Sequence, residues 1–94
     1  MVDAAKAKEI GLALEVLPAA ELLGFAKAQA RKIAGKGPLA VAVAKRLVRE
    51  GADADVRTAN ELERLAFAGI FATDDAREGM NAFVEKRPAK FQGR

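Results

Sequence analysis

Phe71-Ala72-Thr73-Asp74-Asp75-Ala76-Arg77-Glu78-Gly79-Met80-Asn81-Ala82-Phe83-Val84-Glu85-Lys86-Arg87 reads as one capped amphipathic helix. Thr73 supplies a side-chain oxygen for the first free backbone N–H groups. Asp74 and Asp75 put negative charge in the first turn, and Lys86 and Arg87 put positive charge in the last, both complementing the helix dipole. Ala76, Met80, Phe83 and Val84 recur at helical spacing and form the apolar stripe, and Pro88 ends the helix.

Upstream, the same punctuation predicts four more helices. Asp3 caps a short one through Ile10, which Gly11 stops. Gly11–Leu17 reads as an extended or turning stretch closed by Pro18, which suits the first turn of the next helix. That helix is expected from about Ala19 to Ala34, ended by Gly35-Lys36-Gly37, with a buried stripe of Leu22, Leu23, Ala26, Ala30, Ile33 and Ala34. Pro38 starts a third and Gly51 ends it, with Leu39, Ala40, Val43, Ala44, Leu47 and Val48 on its apolar face. Asp53 or Asp55 caps a fourth reaching about Ala72. Its stripe is Leu62, Leu65, Ala66, Gly69 and Ile70, with Phe67 and Phe71 beside it.

Composition supports an all-α chain and narrows its chemistry. Ala accounts for 22 of 94 residues and Ile for three, so helices are favoured over a deep core. His, Cys, Ser, Trp and Tyr are absent, and Thr58 and Thr73 are the only hydroxyl side chains. This excludes a Ser-His-Asp triad, a Cys nucleophile, a His base, disulfides and Cys/His zinc sites. No cationic segment followed by an apolar stretch opens the chain, so a cytoplasmic setting is expected. No apolar run approaches the ~20 residues that a membrane span needs.

Adjacent Asp74 and Asp75 diverge around the helix by about 100°, so a shared metal is not expected. Glu61 and Glu63 are solvated for the same reason. Lys27, Arg31, Lys32, Lys36, Lys45, Arg46 and Arg49 form an acid-free run within Leu22–Arg49, but the net charge is only +3 and aromatic interleaving is sparse. A solvated face or a seam against an acidic neighbour is favoured over nucleic acid. Gly35-Lys36-Gly37-Pro38 lacks both the P-loop and the dinucleotide spacing.

The pattern F-x-T-x-D-x-x-E-G-x-x-A-F-x-E-K-R over Phe71–Arg87, with Pro88 and Phe91-Gln92-Gly93-Arg94 after it, resembles the C-terminal end of the crotonase superfamily. The resemblance continues through Gly37-Pro38-Leu39-Ala40 with Lys45, and back to Ala4–Leu12 and Val16-Leu17-Pro18. It covers essentially all 94 residues.

The resemblance implies about five amphipathic helices, the C-terminal helical part of a crotonase-like fold without its ββα spiral domain. Residues 1–94 would form one helical region matching the lid and trimerisation segment of an enoyl-CoA hydratase. The parent would add water to 2-enoyl-CoA thioesters, with a coenzyme A thioester as substrate and no separate cofactor. The oxyanion hole and paired glutamates belong to the spiral part, so no catalytic residue is expected in this chain, which alone should be inactive. Phe71, Phe83 and Lys86 match CoA-contacting positions. Phe83 and Lys86, three apart on one helix, would present an aromatic face and an ammonium to the same side. The expected partner is a second copy, as dimer or higher oligomer, with no nucleic acid and no membrane. The alternatives are a free-standing helical oligomerisation module and a basic nucleic-acid-binding helical domain.

Overall fold

A computed structural model describes all 94 residues as five α-helices with no strand: α1 Ala4–Glu9, α2 Ala19–Ala34, α3 Pro38–Gly51, α4 Val56–Phe71 and α5 Asp74–Val84. No helix is long and apolar enough to cross a membrane. The chain divides into two compact units, Met1–Arg31 and Lys32–Arg94, with the division falling inside α2.

In the first unit Asp3 caps α1, its carboxylate accepting from the Lys6 N–H at 2.8 Å. Ile10 is the C-cap, and Gly11 turns the chain at a left-handed φ of 77°. The Leu12 and Ala13 N–H groups both return to the Ala7 carbonyl. Lys8 and Glu15 form an ion pair that closes this turn, and Glu15 also accepts from the Val16 N–H at 3.0 Å. Pro18 stands just before α2, its carbonyl accepting from Glu21 and Leu22. Leu12, Leu14, Leu22 and Leu23 all remain exposed.

In the second unit α3 and α4 pack as a short-looped antiparallel hairpin. Ala40, Val43, Ala44 and Leu47 of α3 approach Phe67 and Ile70 of α4. Near the loop, a Cβ added to Gly51 would stand 3.6 Å from the Ala59 Cβ, an ordinary contact. Gly51 is the last helical residue of α3 rather than a left-handed stop, because Ala52 continues with right-handed dihedrals. Of the two candidate caps for α4, Asp55 takes the position. It accepts from the Arg57 N–H at 3.0 Å, the Thr58 N–H at 3.2 Å and the Thr58 hydroxyl at 2.5 Å.

Thr73 caps α5 as expected, accepting from the Ala76 N–H at 3.1 Å while its hydroxyl donates to the Ile70 carbonyl at 2.7 Å. The other end of α5 differs from expectation. The helix stops at Val84 with Glu85 as C-cap, so Lys86 and Arg87 lie beyond it and not in its last turn. The Arg87 N–H bonds to the Ala82 carbonyl and the Lys86 N–H to the Phe83 carbonyl. This is a Schellman closure, with Lys86 at φ 54° in the left-handed position that usually falls to glycine.

The chain then runs back along α5. The core on which all this rests is minimal: Ala82 is the one buried apolar residue, and Asp75 the one buried charged residue. The expected apolar stripes exist, but they are covered only in part: Val43, Leu47, Leu62 and Ile70 are half-buried, while Leu22, Leu23, Leu65 and Phe83 stay exposed.

Candidate functional site

The second unit carries an apolar hollow of about 380 Å³, bounded by the start of α3, the end of α4, one face of α5 and the C-terminal tail. Phe67 and Phe71, one turn apart on α4, place their ring centroids 5.0 Å apart with planes tilted by 51°. Such tilted pairs align a ring edge with a ring face. Ile70 lines the same hollow from α4, and Met80 and Phe83 line it from α5. Leu39 and Ala40 contribute from α3, and Phe91 from the tail.

Two carboxylates on α5 hold that tail. Asp75 accepts from the Gln92 N–H at 2.6 Å and the Gly93 N–H at 2.8 Å, while its own N–H donates to the Arg94 carbonyl at 2.9 Å. Glu78, almost a turn further along, accepts both terminal guanidinium nitrogens of Arg87 at 2.6 and 2.9 Å and the Lys90 N–H at 2.7 Å. The Arg87 guanidinium, then the Lys90 N–H, hold the Glu78 carboxyl down from 4.5 to about 2. Glu78, and then Glu85 at 2.5 Å, push the Arg87 pKa further up. Between these ties the Phe91 ring rests against two glycines. An added Cβ would be 3.5 Å from it at Gly79 and 3.7 Å at Gly37.

The three residues that the resemblance singles out are therefore placed differently. Phe71 and Phe83 line one hollow, and Phe83 is 86% exposed at its rim. Lys86 does not line the hollow, and the three-residue helical spacing assumed for Phe83 and Lys86 does not hold once α5 has closed at Val84. Lys86 takes no part in the ion pairs of the chain, whereas its neighbour Arg87 takes part in two.

Sequence reasoning missed Asp75, Glu78 and Phe91. In the sequence, Asp75 is explained by the helix dipole alone. The available signal was three residues of spacing, since Asp75 and Glu78 share one helix face. The cationic run is interrupted on α3: Lys45, Arg46 and Arg49 share a surface with Glu50 and Asp53, and Arg46 pairs with Glu50 at 3.7 Å.

Comparison with known proteins gives one answer throughout. The sequence profile of the enoyl-CoA hydratase/isomerase family matches residues 1–94. A crotonyl-CoA hydratase of Syntrophomonas wolfei is 43% identical over 91 residues, covering 97% of this chain and 35% of the relative. A short-chain-enoyl-CoA hydratase of Clostridium acetobutylicum is 38% identical over 86 residues, covering 92% and 33%. The crystal structure of an enoyl-CoA hydratase from Bacillus anthracis superposes with a TM-score of 0.92 at 40% identity, over 97% of this chain and 35% of that one. The chain thus spans about a third of the length of the relatives it matches. Aligned from end to end with one profile, and matching a solved hydratase in both sequence and helix arrangement, it belongs to the enoyl-CoA hydratase/isomerase family of the crotonase superfamily.

Proposed function

We propose that residues 1–94 act as the C-terminal helical region of an enoyl-CoA hydratase-like enzyme that adds water to 2-enoyl-CoA thioesters. In that enzyme the region serves as lid, as oligomer interface and as part of the CoA pocket. The observation that carries the proposal is the coverage, 97% of this chain against 35% of a crotonyl-CoA hydratase. The uncovered apolar faces fit the same role, because helices that pack on a larger body keep their stripes free until they meet it. A cytoplasmic setting belongs to the proposal, as does a second copy as partner.

Phe71, Phe83 and Lys86 are the proposed CoA contacts. Phe71 and Phe83 offer aromatic carbon, and Lys86 offers an ammonium that no carboxylate neutralises. The Lys86 backbone supports the assignment. A non-glycine residue in the left-handed region costs about 1–2 kcal/mol, and such cost is tolerated where a side chain is needed.

Two measurements test the reading. The chain alone, incubated with crotonyl-CoA, should leave the conjugated absorbance unchanged, since hydration needs positioned N–H donors with an acid and a base. Turnover above buffer that survives repurification contradicts this. In the full-length enzyme, Lys86→Ala should raise KM for acyl-CoA and spare a pantetheine thioester that lacks the nucleotide. Equal losses on both substrates would make Lys86 structural.

A further inference from the structure

Lys86 stands at φ 54°, in the left-handed region that side chains rarely adopt. A residue keeps such a conformation only where its surroundings over-determine it. At Lys86 the restraints come from its neighbours. The Lys86 N–H meets the Phe83 carbonyl at 3.3 Å, and the Arg87 N–H meets the carbonyl of buried Ala82 at 3.0 Å. The Arg87 side chain then ties the turn back to the helix. Its two terminal nitrogens reach both oxygens of Glu78, nine residues earlier on α5, at 2.6 and 2.9 Å. Its Nε donates to Glu85 at 2.5 Å, and one terminal nitrogen donates to the Pro88 carbonyl at 3.2 Å. Glu78 also accepts from the Lys90 N–H at 2.7 Å. The stretch from Glu78 through Lys86 to Arg87 is thus a ring closed by one ion pair.

This pair differs from those on the open helix surface. The Glu78 side chain is 23% exposed, against 55% for Glu61 and 58% for Asp74 in the pairs of α4 and α5. Solvent therefore screens it less. The two cations that follow Glu85 also have different tasks. Arg87 holds Glu78 and Glu85 with the planar fork that suits carboxylates, while Lys86 enters none of the ion pairs. One cation is fixed, and the other is left free beside it.

We infer that Glu78 is the positioning residue for Lys86. Through Arg87 it fastens the left-handed turn beyond α5, and so holds the Lys86 ammonium in place for the phosphates of CoA. The ligand rests on the CoA contact proposed above for Lys86, whereas the fastening rests on the geometry of the turn. Charge alone makes the opposite prediction. A carboxylate near a polyanion repels it, so removing Glu78 would tighten CoA binding if position did not matter.

The full-length enzyme is assayed as wild type, Lys86→Ala, Glu78→Gln and Arg87→Lys, with crotonyl-CoA and with crotonyl-pantetheine. Arg87→Lys keeps the charge and loses the fork. Amide exchange of the Glu85–Lys90 segment is followed by mass spectrometry in the same proteins. Glu78→Gln and Arg87→Lys should each raise KM for crotonyl-CoA about fivefold, the loss of part of a charged hydrogen bond, with kcat kept. Both should leave crotonyl-pantetheine unaffected and speed exchange of the segment about tenfold. An unchanged or lowered KM for crotonyl-CoA in either variant overturns the positioning role, as do equal losses on both substrates. Should Glu78→Gln lose its helical circular dichroism, Arg87→Lys decides by the same readouts. If Lys86→Ala leaves KM for crotonyl-CoA unchanged, the CoA contact fails on its own account. The fastening is then judged by exchange: faster exchange in Glu78→Gln supports it, and unchanged exchange overturns it.

Discussion

Single carboxylates decide where the tail of this chain lies. Glu78 gathers three N–H donors from Arg87 and Lys90, all of which favour its charged form. Its pKa falls from 4.5 to about 2 in the fold, so the folded state binds its proton less readily than the unfolded chain does. The stabilisation from this group is therefore complete above about pH 4.5 and is lost progressively as pH falls toward 2. Thermal midpoints of wild type and Glu78→Gln should differ clearly at pH 6 and converge by pH 2. A gap that stays constant across that range contradicts the assignment. Little of this was legible in the sequence beyond the three-residue spacing that puts Asp75 and Glu78 on one helix face. Asp75, and Glu78 in its tie to Lys90, bond to backbone N–H groups, which carry no residue signature, and Phe91 meets Gly79 only after the tail has reversed direction. Phe71 and Phe83, which the family pattern marks, do line one hollow.

At the scale of elements the sequence was read most successfully where punctuation is chemical. Pro38 opens α3, Thr73 caps α5, and α2 spans Ala19–Ala34 as its periodicity predicts. What the sequence left open and what it missed share one cause. Asp53 and Asp55 are equivalent as letters, and only the loop geometry after α3 puts Asp55 within reach of the Arg57 and Thr58 N–H groups. Lys86 and Arg87 match a charged last turn, yet the helix closes before them through a left-handed lysine, a position that sequence reading reserves for glycine. Cap substitutions check the observed ends. Thr73→Ala should cost about 1 kcal/mol in a denaturant titration, the usual effect of losing a side-chain N-cap. Asp55→Ala should lower the thermal midpoint, and Asp53→Ala should leave it in place. The reverse order would move the start of α4.

Across the whole molecule, the dominant fact is how little apolar surface the chain covers for itself. Leu12, Leu14, Leu22 and Leu23 stay open in the first unit, and Val48, Leu65, Phe67, Phe83 and Val84 in the second. Exposed apolar surface of this kind drives association in water. On the proposed reading these faces are built to be covered, by a second copy when the chain is alone and by the rest of the enzyme when it is not. The direct measurement is sedimentation velocity of the 94-residue chain across micromolar concentrations, with circular dichroism to confirm the helices. A helical dimer or higher oligomer whose fraction grows with concentration is expected. A compact, helical and stable monomer over the whole range would contradict it.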